Sequence, residues 1–293
     1  MEDRISFYEQ ISKNKRNSIF LIIIIFLVFL LIGYIIAIAR GPGYIFITMI
    51  FSIVFSISYL LVGYYKSDKI ALASVNAIPA PKEYRQYYNS VEGLTLASGM
   101  PMPKLYIMQN SQINAFATGR NPENAVICVT TGALERLNKQ ELEGVLAHEL
   151  SHISNYDIRF MTLTAVLVGL IAIISEIFLR SLWFGSSNNN RKGSPIIIIV
   201  GILLAILAPI FVQLTQLAIS RKREYTADAT AVKFTRYSKG LIGALEKIKN
   251  DKPMKTSKVV SSLFISDPMK KNLDNLLSTH PPLKKRIEAL QAM

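Results

Sequence analysis

Four long apolar runs are the feature that most constrains the fold of this chain. They cover residues 18–39, 44–64, 161–179 and 195–218. A helix needs about 20 apolar residues to cross about 30 Å of hydrocarbon, and each run supplies roughly that number. With 51% hydrophobic residues, the 293-residue chain is also too apolar for an ordinary soluble domain. The sequence therefore predicts an integral membrane protein with four transmembrane helices.

The first two runs are uninterrupted, whereas the other two contain polar residues. The third run includes Glu176, and the fourth includes Pro209, Gln213 and Gln216. Polar residues inside a membrane span usually face neighbouring helices or a cavity. The first run is longer than the apolar core of a signal peptide, which has about 7 to 15 residues, so we expect an uncleaved anchor.

Basic residues flank the apolar runs unevenly. Four of them precede the first run, the turn after it carries only Arg40, and Lys66 and Lys69 follow the second run. Because Lys and Arg are enriched on the cytoplasmic side, the N-terminus and the segment after Tyr65 are predicted to be cytoplasmic. Loop 180–194 would then be external, and the C-terminal segment cytoplasmic, in a multi-pass protein of the cell membrane. The four basic residues before the first run are Arg4, Lys13, Lys15 and Arg16.

This topology divides the chain into four parts. Residues 1–65 form a membrane region with two helices, and residues 66–159 form the first part of a cytoplasmic domain. Residues 160–219 hold the third and fourth membrane helices with their external loop, and residues 220–293 complete the cytoplasmic domain. The predicted fold class is α+β, mostly helical, with a small β-sheet in the cytoplasmic domain.

Local patterns predict the elements of the cytoplasmic domain. A helical pattern at 83–98 ends at Gly99, and turn residues then separate three short strands. Asn138 is expected to cap the next helix, and an amphipathic helix is predicted over 279–293. Cys128 lies in an apolar run and is expected to be a buried core residue. The three strands are predicted at residues 105–108, 115–118 and 125–130.

The pentapeptide His148-Glu149-Leu150-Ser151-His152 carries the functional prediction. On a helix, residues four apart stand one above the other, so both imidazoles can bind one metal ion. This H-E-x-x-H pattern is typical of zinc peptidases, in which the glutamate is the general base. The alternative is a helix with two surface histidines, but a chance match is rare in a chain with 3 histidines. We therefore predict one catalytic Zn²⁺ bound by His148 and His152, with Glu149 catalytic.

A third protein ligand is expected elsewhere, because catalytic zinc normally takes three. His152 precedes the third apolar run by about nine residues and Glu224 follows the fourth by about six, so antiparallel helices would bring both to one depth. Asp228, one helical turn further, could accept a hydrogen bond from a ligand histidine and fix its tautomer. The alternative is that Glu224 and Asp228 are solvated charges among basic neighbours.

Three segments together resemble the HtpX-type heat-shock membrane endopeptidases, and the match runs through most of the chain. Residues 114–119 also resemble the family segment upstream of the zinc helix, and the four-span layout agrees. The three segments are His148 to His152 with Ile153, Asn155 and Asp157; Arg223-Glu224-Tyr225 with Ala227-Asp228; and His280-Pro281-Pro282.

The resemblance implies a gluzincin in which His148, His152 and Glu224 bind zinc and Glu149 is catalytic. It also implies a cytoplasmic active site that hydrolyses misfolded or damaged membrane proteins in quality control, without ATP. Prenyl-protein endopeptidases of the related CAAX type share the zinc pattern and are the alternative. Proteins of that type have more membrane spans than this chain holds.

Two other segments have open interpretations. His280 could stabilise the oxyanion or hold an acid in place as a catalytic residue, or it could merely cap the final helix. Asn114, Ala115 and Phe116 begin a strand whose edge could bind an extended substrate, although an internal strand fits the same pattern.

Other classes of function fit the sequence less well. The net charge of +13 comes without a nucleic-acid-binding pattern, so the predicted partners are protein substrates and the lipid bilayer, whose anionic headgroups attract basic residues. A non-catalytic zinc-binding scaffold is the first rival, but a closed structural site needs no base beside His148. A membrane oxidase with a di-metal centre is the second, but it needs more ligands than 3 histidines supply.

Overall fold

The computed structural model describes residues 7–165, 221–254, 256, 260–266 and 281–293. The predicted fourth membrane helix and loop 180–194 lie outside the described residues, as does the third membrane helix beyond residue 165. The described start of that third run belongs to a helical segment at residues 157–165.

Two long helices form an N-terminal hairpin. Helix α1 covers Phe7–Arg40 and helix α2 covers Ile45–Ser74, joined by a short 3₁₀ turn at Pro42–Tyr44. Both are long and apolar enough to cross a membrane, over Asn14–Ile38 and Pro42–Ser74. These helices agree with the first two apolar runs of the sequence.

Helix α2 continues from the membrane region into the rest of the fold. Its membrane part exposes large apolar side chains such as Phe46, at 79%, and Phe51, at 70%, as a lipid-facing surface would. Beyond Tyr64, where the apolar run ends, the helix runs on to Ser74 and buries Ala71 and Leu72. This burial against the sheet described next explains why the helix is longer than its apolar run.

Four strands form one mixed sheet in the order β1-β2-β4-β3. Strands β2 (Lys104–Met108) and β4 (Ala125–Thr130) are parallel neighbours in the centre, and β3 (Ala115–Gly119) is antiparallel to β4. The three predicted strands are therefore confirmed. Strand β1 (Ile78–Pro79) pairs with β2 and has no sequence signal, because two residues that include a proline carry no strand pattern.

Three of the remaining helices pack against α5 (Lys139–Ser154), which carries the H-E-x-x-H motif. Helix α3 (Arg85–Ser98) lies between β1 and β2 in the chain and ends at Gly99, whose φ of 69° lies in the left-handed region that favours glycine. The other helices are α3 (Arg85–Ser98), α4 (Thr131–Arg136), α6 (Arg221–Thr235), α7 (Ser238–Lys249) and α8 (Leu283–Gln291). Among the described residues, the fold is mostly helical with a small mixed sheet.

The final helix starts later than the sequence pattern suggests. It was expected from residue 279, but α8 begins at Leu283, and Pro282 has the extended ψ of 131°. A proline disfavours the helical conformation of the residue before it, so Pro282 keeps Pro281 out of the helix.

The alternating side chains of β4 separate two apolar cores, as the period of two in a strand requires. Ala125, Ile127 and Val129 join the core that contains α3, α5 and α7. Val126 and Cys128 join the second core on the opposite face, so Cys128 is a buried core residue as predicted. The second core also includes Leu72, Met108, Phe116, Met161 and Phe264.

Glycines let α5 and α7 approach each other at backbone distance. A Cβ atom on Gly144 of α5 would lie 2.5 Å from the backbone nitrogen of Leu241. Reciprocally, a Cβ atom on Gly240 would lie 2.4 Å from the carbonyl oxygen of Gln140. The metal-motif helix is thus held against α7 by contacts that only glycine permits.

We expect Gly144→Ala to destabilise the protein by about 1–3 kcal/mol, because the added methyl group overpacks a backbone contact that cannot yield locally. Gly93→Ala is the matched control: Gly93 is exposed on α3, with nothing within 4 Å of its added Cβ atom. That control should stabilise by about 0.5–1 kcal/mol through helix propensity. Denaturant unfolding in detergent measures both, and equal effects would contradict the backbone contact between α5 and α7.

Candidate metal centre

A capping box fixes the start of α5 and therefore the position of its two histidines. The Asn138 side chain accepts a hydrogen bond from the backbone N–H of Glu141 (2.9 Å), and the Glu141 side chain accepts one from that of Asn138 (2.8 Å). Lys247 of α7 then pairs with Glu141 at 2.6 Å. The helix start is thereby tied to its neighbour, and His148 and His152 follow one turn apart on a buried face.

The structure brings His148, His152 and Glu224 together, with one potential ligand atom from each lying within 4.8 Å of the others. The two imidazole Nε2 atoms are 3.2 Å apart. Glu224 Oε2 lies 3.7 Å from Nε2 of His148, and Glu224 Oε1 lies 3.6 Å from Nε2 of His152. All three side chains are buried, and Glu224 comes from α6, far away in the sequence.

These distances fit a tetrahedral zinc ion. Bonds of about 2.0–2.1 Å at tetrahedral angles place neighbouring ligand atoms about 3.3–3.4 Å apart. The Nε2–Nε2 separation of 3.2 Å agrees with this value, and each Glu224 oxygen lies within about 0.4 Å of it from one of the two Nε2 atoms. Two imidazoles and one carboxylate leave a fourth position open, which is the ligand pattern of catalytic rather than structural zinc.

Two carboxylates hold the far nitrogens of the histidines. Asp228 Oδ1 lies 2.9 Å from His148 Nδ1, and Asp157 Oδ2 lies 3.2 Å from His152 Nδ1. Each carboxylate can accept the Nδ1–H, which leaves both Nε2 atoms free to bind the metal. Asp228 was predicted for this type of contact. For Asp157 the sequence offers the family resemblance of its segment. Its place just beyond the end of α5 is the signal that could have indicated its contact with His152.

Glu149 lies beside His152 and Glu224 and also contacts β3. It is 1% exposed, and the backbone N–H of Ala117 donates a hydrogen bond to its carboxylate. Its Oε1 has no hydrogen-bond partner among the described residues. Burial raises the pKa of Glu149 to about 7, and the nearby Glu224 adds to the shift, while His152 and the Ala117 N–H oppose it. A carboxylate with this pKa can both take up and release a proton near neutral pH.

Arg286 is a site residue that the sequence analysis missed. It is 0% exposed and donates two hydrogen bonds to Asp228, from Nε at 2.8 Å and from Nη2 at 2.7 Å. Its Nη1 donates to the carbonyl oxygen of Ile265 at 2.8 Å and lies 3.3 Å from Glu224. Although burial opposes the effect, Arg286 and His148 hold the pKa of Asp228 below its ordinary value.

A sequence signal for Arg286 does exist in α8. Leu283, Ile287 and Leu290 form the inward stripe of this helix, and Arg286 falls within that stripe. A charged residue in an apolar stripe needs a buried partner, which the fold supplies as Asp228.

The predicted substrate strand lies at the sheet edge but is partly covered. Asn114 is held by Thr130 through two hydrogen bonds of 3.0 Å. The carbonyl oxygen of Ala115 accepts from the N–H of Ile265 at 2.9 Å, and Phe116 forms a bridge with Phe264. An extended chain could reach these three residues only by displacing 264–266. His280 lies outside the described residues.

The two histidines of the candidate metal site differ in charge in the metal-free protein. Burial and the positive charge of Arg286 lower the pKa of His148, so this ring is neutral at pH 7. Burial also lowers the pKa of His152, but the hydrogen bond to Asp157 and the charge of Glu224 outweigh it and raise the value to about 9. His152 is therefore protonated at neutral pH in the metal-free protein.

We expect zinc binding at about pH 7.5 to release about one proton, because His152 must lose its proton to become a ligand. Zinc affinity should rise about tenfold per pH unit from about pH 7 to 9 and then level off, as His152 titrates. Calorimetry in buffers of different ionisation enthalpy measures the release. Asp157→Asn should reduce it by lowering the pKa of His152, whereas buffer-independent heats in the unaltered protein would contradict the assignment.

A buried pair of histidines and a glutamate, with a second buried glutamate beside them and membrane helices attached, defines a membrane-anchored metallopeptidase. Residues 81–293 match peptidase family M48. The protease HtpX homologue of Thermoanaerobacter pseudethanolicus is 43% identical, covering 99% of both chains. That of Dictyoglomus turgidum is 44% identical, covering 98% of this chain and 95% of the relative. The chain belongs to peptidase family M48 and is a metalloprotease, which confirms the family predicted from the three motif segments.

The fold also has a counterpart among solved structures. The crystal structure of S. mikatae Ste24p aligns with a TM-score of 0.52 and 21% identity, covering 97% of this chain and 67% of that chain. At this identity the likeness concerns the fold alone.

Proposed function

We propose that this metalloprotease uses one zinc ion to hydrolyse misfolded or damaged membrane proteins at the cytoplasmic face of the cell membrane, without ATP. The observation that carries the proposal is the convergence of His148, His152 and Glu224 beside the buried base Glu149. The site also lies near the membrane, because Asn14, the first residue of the span Asn14–Ile38, contacts the segment that follows α5.

Zinc would be held by His148, His152 and Glu224. When bound, the ion would supply Lewis acidity, which polarises the scissile carbonyl and acidifies a water molecule. Glu149 takes the proton from that water as its oxygen attacks the carbonyl carbon, and delivers it to the leaving nitrogen when the C–N bond breaks. Asp228 and Asp157 keep the ligand rings in the tautomer that leaves Nε2 free.

The substrate backbone is proposed to pair with the outer edge of β3. Ala115 already pairs with Ile265, so Asn114, Ala115 and Phe116 could serve only if residues 264–266 move. The edge beyond Phe116 is the better candidate, because Ala117 is adjacent to Glu149 through its backbone N–H. Pairing there would bring an extended chain past the general base.

The experiment uses the full chain purified in detergent and an unfolded, dye-labelled test protein. We expect cleavage without ATP, loss of cleavage after chelation, and recovery on adding back stoichiometric zinc. Glu149→Gln, carried through the same purification, controls for contaminating proteases. Cleavage that survives chelation, or recovery with other divalent ions but never with zinc, would refute the assigned metal. Cleavage only in the presence of ATP would refute the energy-independent reaction.

The cytoplasmic orientation predicts a labelling pattern for single cysteines in a Cys128→Ala background. Gly43→Cys lies in the exposed turn between α1 and α2 and should react with an impermeant thiol reagent in intact cells. Asn250→Cys, exposed at the end of α7, should react only after permeabilisation. The opposite pattern would reverse the topology. Ser187→Cys tests the four-span layout separately, since protection of that residue in intact cells would exclude an external loop at 180–194.

A further inference from the structure

The first membrane helix reaches the metal centre through one side chain. Asn14 of α1 is 2% exposed, and its Nδ2 donates to Asp157 Oδ1 at 2.6 Å and to the carbonyl oxygen of Asn155 at 3.0 Å. The other carboxylate oxygen of Asp157 lies 3.2 Å from Nδ1 of His152. A continuous chain of hydrogen bonds therefore joins α1 to a proposed zinc ligand across more than 130 residues of sequence.

Apolar packing further along α1 and a cation–π contact beside Asn14 hold this side chain in position. Leu21 and Ile25 of α1 are buried against Phe160 and Leu163 of the helical segment 157–165. Next to Asn14, the Lys15 ammonium lies 4.3 Å above the centre of the Tyr156 ring. The contact with Asp157 is thus part of a docked interface between α1 and the segment that follows α5.

Asp157 also has an alternative partner. The guanidinium Nε of Arg223 lies 3.8 Å from Asp157 Oδ1, the oxygen that Asn14 occupies. Without the Asn14 amide, rotation of the carboxylate could form a closer, charge-assisted pair with Arg223. That rotation would draw Oδ2 away from His152. In the structure the Asn14 amide, at 2.6 Å, is the nearer of these two partners of Oδ1.

We propose that Asn14 is a positioning residue for the metal centre: it holds Asp157 in the rotamer that orients His152, so zinc affinity depends on the docking of α1. The inference rests on the proposed zinc function. Partners that orient a metal-binding histidine typically change metal affinity or activity by about 10- to 100-fold when they are removed. A membrane helix thereby acts in the metal site as well as in anchoring the chain.

The first test compares zinc affinity in Asn14→Ala and Ser18→Ala by chelator competition on the purified full chain. Asn14→Ala should weaken zinc binding about tenfold. Ser18 is the matched control, because it is fully buried one turn along α1 and its hydroxyl donates to the Asn14 carbonyl oxygen of the same helix. Ser18→Ala should stay within about twofold of the unaltered protein. Equal affinity in Asn14→Ala and the unaltered protein would overturn the proposal.

A double-mutant cycle separates positioning from general loss of structure. If Asn14 acts through Asp157, Asn14→Ala should weaken zinc binding in the unaltered background but add less than about twofold in an Asp157→Asn background. Full additivity of the two losses would refute action through Asp157. Asn14→Leu, which has the same branching but no donor, replaces Asn14→Ala if the smaller side chain prevents folding, and zinc affinity should again fall about tenfold.

The outcomes also separate this proposal from the proposed function. An unaltered protein that binds no zinc, or that binds zinc without cleaving the test protein, would count against the proposed function. Zinc binding that is unaffected by Asn14→Ala, with cleavage intact, would leave the protease assignment standing and remove only the role of α1.

Discussion

Glu149→Gln should abolish proteolysis while leaving zinc content at the level of the unaltered protein. The substitution keeps the shape of the side chain and removes no metal ligand, but an amide cannot take a proton from the attacking water. General base catalysis contributes up to about 10⁴-fold, and we expect turnover to fall by about 10³-fold or more. Metal analysis and single-turnover cleavage of a labelled peptide measure the two effects separately.

The pH dependence provides an internal check on this role. Burial raises the pKa of Glu149 to about 7, so the base is protonated and inactive at lower pH. The cleavage rate of the metal-loaded enzyme should therefore rise with pH through the pKa of Glu149, which the positive charge of the bound ion lowers from its value in the metal-free protein, whereas residual cleavage by the glutamine variant should lack that limb. Glu149→Asp, which keeps the carboxylate but shortens its reach, should retain an intermediate rate. Near-normal turnover by Glu149→Gln would require another base.

Local features of this fold follow from local sequence. The apolar runs at 18–39 and 44–64 predict α1 and α2, because membrane helices satisfy their backbone hydrogen bonds internally. Asn138 and Glu141 signal the start of α5, and turn residues bound β2, β3 and β4. The end of α2 and the two-residue β1 were not predictable in this way, since tertiary contacts with the sheet decide both.

The metal centre depends partly on local sequence and partly on tertiary contacts. One helix fixes His148 relative to His152, so spacing alone can pair them. The approach of Glu224 to the histidines depends on how two distant helices align. The sequence indicates this approach geometrically through the equal depth of His152 and Glu224 below the membrane. The bonds that surround the ligands, from Asn14 to Asp157 and from Arg286 to Asp228, connect segments more than 50 residues apart. Such contacts have no local pattern and become visible only in the folded chain.

Arg286→Met should cause the largest loss of stability, about 3–5 kcal/mol, because it leaves Asp228 charged and buried without the counter-charge of the guanidinium. Methionine keeps the unbranched apolar stem of the side chain and removes the guanidinium, so the loss reports mainly on charge and hydrogen bonds. Zinc affinity should also fall, since an unrestrained Asp228 no longer holds His148. Denaturant unfolding and chelator competition on the purified chain measure the two effects.

Neutralising Asp228 tests the physical reason for that loss. In Arg286→Met with Asp228→Asn, the asparagine can still accept the Nδ1–H of His148, and no carboxylate at that position is left without a counter-charge. About half of the lost stability should return, because removing one partner of a buried pair is more costly than neutralising both. Lys285→Met, exposed on the same helix, is the control and should stay within about 0.5 kcal/mol of the unaltered protein. If the double variant proves less stable than Arg286→Met alone, packing rather than charge is what Arg286 contributes, and α8 would then be a structural cover rather than a support for the metal-binding histidine.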